Sequence, residues 1–351
     1  MTYHDEVKKE FIQKLRHRLM ELPDFCTDYF IGIEASTGEK TRLGYASDLK
    51  IFFQYLLEYE PWLAAKTMPE LELSDLERVS ANDIERFLNY VTYYTRTTQE
   101  QPADFQNGEK GKARKLAAIR SLYKYFYKKE RIAVNPAMLV STPKIHDKNI
   151  IRMDAGETAR LLDEVESGDK LTAHQKAYHH YTQARDLALI STLLGTGIRI
   201  SECVGLDLTD VDFDNNGLRI VRKGGNESIV YFGEEVREAL LAYLEERKKM
   251  EPAEGHEEAL FLSMQKKRLS VRAIQNLVDK YAKTVTSLKH ISPHKLRSTY
   301  GTALYNETGD IYLVADVLGH KDVNTTRKHY AHLEEERRRM AADAVKLRRE
   351  D

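Results

Sequence analysis

The sequence predicts a mainly α-helical fold with one small antiparallel β-sheet, divided between two domains. The length of 351 residues corresponds to about two domains of ~150 residues each. Apolar residues recur at helical spacing through most of the chain, whereas two β-rich runs around Gly224 and Gly225 have the pattern of a hairpin. With 42% hydrophobic and 31% charged residues, the composition is that of a globular protein with an ample core.

Charge, cysteine content and hydropathy exclude several classes of protein. The net charge of −1 shows no overall preference for nucleic acid, so any DNA-binding surface must be a local basic patch. Cys26 and Cys203 are the two cysteines, and their separation argues against a structural zinc site and for a reducing compartment. No apolar run approaches the ~20 residues of a membrane span, and the N-terminus lacks the apolar stretch of a signal peptide. We therefore expect a cytoplasmic protein without membrane insertion.

Helical patterns fill the first half of the chain. Helices are predicted at residues 5–21, 42–59, 80–94 and 112–130. Ser80 is a suitable N-cap residue, and Asp83 at the N3 position completes a weak capping box. Residues 99–111 are polar and contain Pro102, which predicts a loop.

The last of these helices is strongly basic. From Lys110 to Arg131, nine lysines and arginines stand against one acid, Glu130. Such a helix can bind the phosphates of duplex DNA, although a solvated helix face explains the same pattern equally well. The tyrosines and phenylalanines interleaved with the basic residues are more typical of a core. The candidate DNA contacts are Lys112, Arg114, Lys115, Arg120 and Lys124.

The helical periodicity is interrupted between the two halves of the chain, and this interruption sets the predicted domain boundaries. The first domain covers residues 1–138, and residues 139–150, with Pro143 and no clear periodicity, are predicted to be a linker. The second domain covers residues 151–351. Its helices are predicted at residues 155–167, 181–194, 233–249, 270–285, 293–307, 310–318 and 333–348, and its hairpin strands at 218–222 and 228–232.

Two arginines in the second domain have the local context of phosphate ligands. Arg199 follows an apolar run and the glycines of residues 195–197, which allow a sharp turn after a helix, and a guanidinium there can bind two phosphate oxygens. His294 and Arg297 share the first turn of a helix that Ser292 is placed to cap, where an anion is favoured. Each motif alone is also common among surface residues, but together they predict a phosphate site.

Three further residues could complete a metal-free reaction at that phosphate. Lys223 lies beside the hairpin turn, where neighbouring arginines would lower its pKa enough for it to act as an acid, although many turn lysines only keep a turn soluble. His320 follows a helix-capping Gly319. Tyr330, one of 20 tyrosines, lies just beyond it in a polar segment and is the candidate nucleophile.

In order and spacing these motifs resemble those of the tyrosine recombinases, also called the phage-integrase family. Within the family the chain looks like the Xer-type chromosome-dimer resolvases, particularly the single-protein XerS type. The resemblance covers roughly residues 151–345 and places the catalytic set on Arg199, Lys223, His294, Arg297, His320 and Tyr330. It departs from the family pattern in two places: His320 and Tyr330 are ten residues apart where many relatives have nine, and Arg222 precedes Lys223 where relatives often have glycine.

The resemblance implies a fold, a reaction and partners. The fold would be a helical, SAM-like core-binding domain followed by a tyrosine-recombinase catalytic domain with a C-terminal helix. Tyr330 would attack the scissile phosphate and form a 3′-phosphotyrosine, with no metal, ATP or other cofactor. Arg199 and Arg297 would hold the non-bridging oxygens with His320, while Lys223 protonates the departing 5′ oxygen and His294 assists Tyr330.

The implied partners are a double-stranded DNA recombination site, further copies of the chain, and a septal DNA translocase. The copies would form a dimer on one site and a tetramer in the synapse. The sequence leaves three alternatives open: a phage or transposon integrase, a type IB topoisomerase, and a catalytically inactive DNA-binding regulator of the same fold.

Overall fold

A computed structural model describes residues 2–98, 101–146, 151–222, 224–320, 322, 323 and 326 of the chain. The chain divides into two compact units, Met1–Lys148 and Asn149–Asp351. The predicted fold class is confirmed: both units are mainly helical, and the strands form small antiparallel sheets. Where the linker between the domains begins and ends stays a prediction. Among the described helices, none is both long enough and apolar enough to cross a membrane.

The first unit contains six helices and one hairpin in its described part. They are α1 (Tyr3–Leu19), α2 (Phe25–Gly32), α3 (Glu39–Tyr59), α4 (Leu73–Arg78), α5 (Ala81–Tyr90), β1 (Tyr93–Thr98), β2 (Gln101–Gln106) and α6 (Glu109–Lys128). The basic helix α6 buries Leu116, Ile119, Tyr123 and Phe126, which recur every three or four residues along one face. The Tyr123 hydroxyl donates to Leu76 O at 2.9 Å. These aromatic side chains therefore belong to the core.

The segment after α5 differs from the prediction. Ser80 caps α5 with Asp83 as expected, but the helix ends at Tyr90, and residues 101–106 of the predicted loop form strand β2 of an antiparallel hairpin. The Tyr- and Thr-rich run of β1 suits a strand, and the rings of Tyr94 and Phe105 stack across the hairpin with centroids 5.4 Å apart. Pro102 is tolerated because each strand of a two-stranded sheet is an edge strand.

The second unit combines helices with a three-stranded sheet. Its elements are α7 (Ala155–Ser167), α8 (Ala173–Thr196), α9 (Ile200–Gly205), β3 (Val211–Asp212), β4 (Gly217–Val221), β5 (Glu227–Tyr231), α10 (Glu234–Arg247), α11 (Val271–Val285), α12 (Pro293–Thr308) and α13 (Ile311–Leu318). The predicted hairpin is confirmed as β4–β5, with β3 added beside β4. The helix predicted at 333–348 lies outside the described residues.

Helix α8 is the central element of this unit. It starts eight residues before the predicted position because Thr172 and Gln175 form a capping box ahead of a polar first half that has no apolar periodicity. Its second half buries Leu189, Ile190 and Leu193 completely. Helix α8 ends at Thr196 and is capped by Gly197, whose left-handed conformation (φ 62°) turns the chain toward Arg199.

Candidate active site

The C-terminal end of α13 binds three arginines, each donating to a different carbonyl group. The pairs are Arg222 Nη2 with Val317 O at 3.0 Å, Arg297 Nη2 with Leu318 O, and Arg199 Nη2 with Gly319 O at 3.2 Å. The last carbonyl groups of a helix have no partner within the helix and form the negative end of its dipole, so cationic donors stabilise them. Three guanidinium groups from distant parts of the chain are thereby brought to three consecutive residues.

Arg199 is held by Glu202 as well as by α13. It is the N-cap residue of α9, its backbone N–H donates to Glu202 Oε2 at 2.7 Å, and its Nη1 donates to Glu202 Oε1 at 2.8 Å. Glu202 is buried, whereas the Arg199 side chain is 36% exposed. The carboxylate therefore fixes the guanidinium while leaving part of it accessible to an anion. Glu202 was not among the predicted site residues, although its place three residues after Arg199 was visible in the sequence.

Arg297 connects the C-terminal ends of α8 and α13. Its side chain is only 5% exposed, and besides Leu318 it donates through Nη1 to Gly197 O at 2.5 Å. His294 lies one turn earlier on α12 and is exposed. Ser292 is the N-cap residue as predicted, but within the described chain its side chain makes no capping hydrogen bond. The pair His294 and Arg297 therefore combines an exposed imidazole with a buried guanidinium.

His320 is held from both sides where α13 ends. Its backbone N–H donates to Ala315 O at 2.9 Å, and Gly319 has the left-handed conformation (φ 61°) that was predicted for a glycine cap. The Nδ1 atom of His320 lies 2.6 Å from the hydroxyl oxygen of Thr326, which is fully buried. Thr326 thus fixes the orientation of the imidazole ring, a contact that sequence reasoning did not predict.

Four of the six predicted catalytic residues fall within the described chain. Arg199, Arg297 and His320 meet at the end of α13, and His294 lies one helical turn from Arg297. The other two predicted residues, Lys223 and Tyr330, lie outside the described residues. Arg222 also donates to the end of α13, although it was not a predicted site residue. Its position was noted only as a departure from the family pattern.

This arrangement suits an oxyanion with several negative oxygens. Guanidinium groups donate paired hydrogen bonds to phosphate, and donors that are already oriented stabilise charge that develops in a transition state. In the ranges that the structure covers, no three His, Cys, Asp or Glu side chains are grouped so that they could hold a metal ion. Among the described residues, the arginines supply positive charge for a phosphate bound at this site.

Tyr300 lies beside this site. It follows Arg297 by about one turn on α12, and its ring would overlap a Cβ atom built on Gly197. Burial raises the pKa of Tyr300. A nucleophilic tyrosine has to lose its proton, so this environment suits packing rather than attack.

The structure divides the predicted DNA contacts of α6 into two groups. The prediction for Lys115 is wrong: the side chain is 3% exposed and lies 3.1 Å from Asn107 Oδ1 and 3.3 Å from Asp48 Oδ1. Burial raises the pKa of Asp48 although two cations lie beside it. A buried carboxylate has to be paired, so Lys115 serves the fold and cannot reach a phosphate.

Arg120 also has a structural role, because it donates to Ala137 O at 3.1 Å, to Val140 O and to Thr142 Oγ1 at 2.7 Å. Arg114 donates to Asp48 at 2.8 Å, but its side chain is 55% exposed. Lys112 is half-buried and Lys124 is exposed. A ligand can therefore still reach the side chains of Lys112, Arg114 and Lys124. Their contact with DNA stays a prediction.

Comparison with known proteins gives consistent matches. Residues 152–337 match the model of the phage integrase family. Tyrosine recombinase XerC of Caldanaerobacter subterraneus subsp. tengcongensis is 31% identical, over 92% of this chain and 86% of the relative. Tyrosine recombinase XerS of Streptococcus pyogenes is 30% identical, over 95% of this chain and 98% of the relative. The crystal structure of XerH recombinase bound to palindromic difH substrate superposes with a TM-score of 0.61 at 20% identity, covering 87% of this chain and 80% of that one, which bears on the fold alone.

Proposed function

The chain belongs to the phage integrase family and is a site-specific DNA recombinase, and on that premise we propose which residues cleave DNA and what the reaction is for. The observation that carries the proposal is the meeting of Arg199, Arg297 and His320 at the end of α13. This group supplies the oriented positive charge that attack on a phosphodiester requires.

We propose Tyr330 as the nucleophile. Its phenolic oxygen attacks the scissile phosphorus, the bond from phosphorus to the 5′ oxygen breaks, and a 3′-phosphotyrosine forms. His294 takes the proton from Tyr330, and Lys223 gives a proton to the departing 5′ oxygen. A 5′ hydroxyl from a second DNA strand then attacks the phosphotyrosine and rejoins the strands. The covalent bond conserves the energy of the phosphodiester, so the reaction balances without ATP.

The described residues stabilise the charge on the phosphate. Arg199, oriented by Glu202, and Arg297 donate to the two non-bridging oxygens. Because Thr326 contacts Nδ1 of His320, we assign the bond from His320 to the phosphate to Nε2. Because Arg297 is buried, the local dielectric constant is low. Each hydrogen bond to the phosphate therefore stabilises its charge more than it would in water.

The role we propose is resolution of chromosome dimers at cell division. Support comes from the XerS relative, which this chain matches over nearly the full length of both proteins. The proposed partners are a double-stranded recombination site and other copies of this chain, as a dimer on one site and a tetramer in the synapse. A septal DNA translocase would control the reaction, which would take place in the cytoplasm.

A plasmid assay tests this function against two of the alternatives, a topoisomerase and a DNA-binding regulator. A supercoiled plasmid with two direct copies of a site from near the replication terminus is incubated with the protein, and a plasmid without the site serves as control. We expect excision between the two sites and no change in the control. Relaxation of both plasmids would indicate a topoisomerase. Site binding without covalent attachment or excision would indicate a DNA-binding regulator.

A further inference from the structure

The turn of the β4–β5 hairpin projects from the second unit. Arg222 begins this turn: its backbone N–H donates to Asn226 O at 2.8 Å, and its carbonyl accepts from Gly225 N–H at 3.1 Å. Gly224 and Gly225 both have positive φ values, 94° and 81°. Apart from each glycine and its two neighbours in the chain, no described heavy atom lies within 4 Å of the place where a Cβ would stand on either glycine. The described part of the turn tip is therefore surrounded by open space.

The side chain of Arg222 leaves the hairpin and contacts the end of α13. Its Nη2 donates to Val317 O at 3.0 Å, and its guanidinium occupies the place that a Cβ atom on Gly319 would take. This contact joins residues 95 positions apart in the sequence. The atoms of α13 that receive it adjoin the carbonyl groups bound by Arg199 and Arg297. The hairpin and the phosphate site are thus connected through Arg222.

We infer that Arg222 is a positioning residue that ties the turn carrying Lys223 to the end of α13. The inference rests on the proposed function, in which Lys223 is the acid. Gly224 and Gly225, which complete this turn, have the wide conformational range of glycine, and an acid displaced by about 1 Å can lose roughly 10²-fold in rate. A planar guanidinium that both donates and packs restricts the turn more than a lysine ammonium can.

Direct phosphate binding by Arg222 is the competing role. Contact with α13 does not exclude it, because both outer nitrogens of Arg297 also donate to carbonyl groups, so the substrate comparison below decides between the two roles. The Nη2 atom is already bonded to Val317 O, and Nη1 is the atom closest to the Cβ position of Gly319. Both outer nitrogens of the guanidinium therefore face α13. Arg199, in contrast, has an accessible side chain and a carboxylate that orients it.

The test uses a DNA substrate in which sulfur replaces the 5′ bridging oxygen at the scissile phosphate. A thiolate leaves without prior protonation because the thiol pKa, about 8.5, is far below that of an alcohol. A defect in the acid therefore disappears on this substrate, whereas a defect in phosphate binding persists. Single-turnover formation of the covalent adduct is measured for the full chain on the oxygen and sulfur substrates, together with half-site binding and the thermal midpoint of the free protein.

Four variants make the comparison. Arg222→Met removes the donors and keeps the length of the side chain, Arg222→Lys keeps the charge, and Lys223→Ala removes the proposed acid. Arg219→Met is the matched control, because Arg219 lies on the β4 strand that leads into this turn, is exposed, and pairs with Asp210 instead of α13. It should retain the cleavage rate of the unmodified chain on both substrates.

We expect Arg222→Met to cleave the oxygen substrate roughly 10²-fold more slowly, with Arg222→Lys recovering little of the loss. On the sulfur substrate both should come within about threefold of the unmodified chain, as Lys223→Ala should. If sulfur rescues Lys223→Ala but not Arg222→Met, Arg222 does not act through the acid and the inference is overturned. If sulfur fails to rescue Lys223→Ala, the proposed acid itself is wrong, and the inference falls with it.

Discussion

The guanidinium of Arg222 occupies the place that a Cβ atom on Gly319 would take. Gly319 also has a positive φ of 61°, a conformation that residues with side chains rarely adopt. Two independent constraints therefore require glycine between the last turn of α13 and His320. The constraint from Arg222 arises almost a hundred positions earlier in the chain, so it connects the geometry of the hairpin with that of the phosphate site.

Gly319→Ala should destabilise the protein by more than backbone strain alone. The strain of a left-handed residue is about 1–2 kcal/mol, and displacement of Arg222 adds to it. Gly225→Ala is the matched control, because Gly225 has a positive φ but open space around it. Denaturant unfolding should show a larger loss for Gly319→Ala, and adding Arg222→Ala to it should cost less than the sum of the two changes. Equal losses of stability in the two glycine variants would show that displacement of the Arg222 side chain does not destabilise the protein.

Arg297→Ala should reduce cleavage far more than DNA binding. A lost oxyanion donor lowers the rate by roughly 10²–10³-fold, whereas one phosphate contact among many changes affinity little. Arg247→Ala is the matched control for stability, since Arg247 is equally buried and also donates to two carbonyl groups, Glu257 O and Ala259 O. Both variants should unfold more easily, but the folded Arg247 variant should cleave normally. Equal losses of binding and cleavage for Arg297→Ala would reduce Arg297 to a positioning contact.

Substitution of Lys124 should affect DNA binding, whereas substitution of Arg120 on the same helix should affect stability. Lys124 is exposed, so Lys124→Ala should lower the slope of log affinity against log salt by about 1 and leave unfolding unchanged. Arg120 supports three oxygen acceptors, so Arg120→Ala should destabilise the first unit by about 1–3 kcal/mol. Titrations at several salt concentrations measure the slope. An unchanged slope for Lys124→Ala would place the DNA contacts elsewhere.

Removal of the chain after Leu333, which lies outside the described residues, should affect protomer pairing. The apolar residues Met340, Ala344 and Leu347 recur at helical spacing beyond Tyr330 and suit docking on another copy. We predict normal binding of one protomer to a half-site and loss of cooperativity on paired half-sites. Gel-shift titrations on both DNAs measure this. Unchanged cooperativity with intact recombination would mean that the segment packs within its own chain or stays in solvent.

Local sequence patterns predicted the parts of the fold that depend on local physics. The cap at Ser80 and the β4–β5 hairpin follow from nearby residues, and both are confirmed. The β1–β2 hairpin was missed because Pro102 is a strong signal against a central strand and a weak one at an edge. The early start of α8 was missed because its first turns are polar and have no apolar stripe to mark them.

The site contains contacts that no local pattern could reveal. Lys115 looked like other basic residues of α6 until the buried carboxylate of Asp48 was placed beside it. Arg222 was noted only as a departure from the family pattern, because its acceptor, Val317 O, lies 95 residues away. Periodicity shows which face of a helix is buried, but the partner of an individual cation depends on the tertiary fold.

The most direct test is covalent attachment of the Tyr330→Phe variant to a nicked suicide substrate, read as a protein–DNA adduct on a denaturing gel. Tyr312→Phe, on the exposed face of α13, is the matched control. We predict that Tyr330→Phe binds the site normally and forms no adduct, while Tyr312→Phe forms it like the unmodified chain. An adduct that persists in Tyr330→Phe would contradict the assignment, and its loss in His329→Ala instead would place the active position one residue earlier.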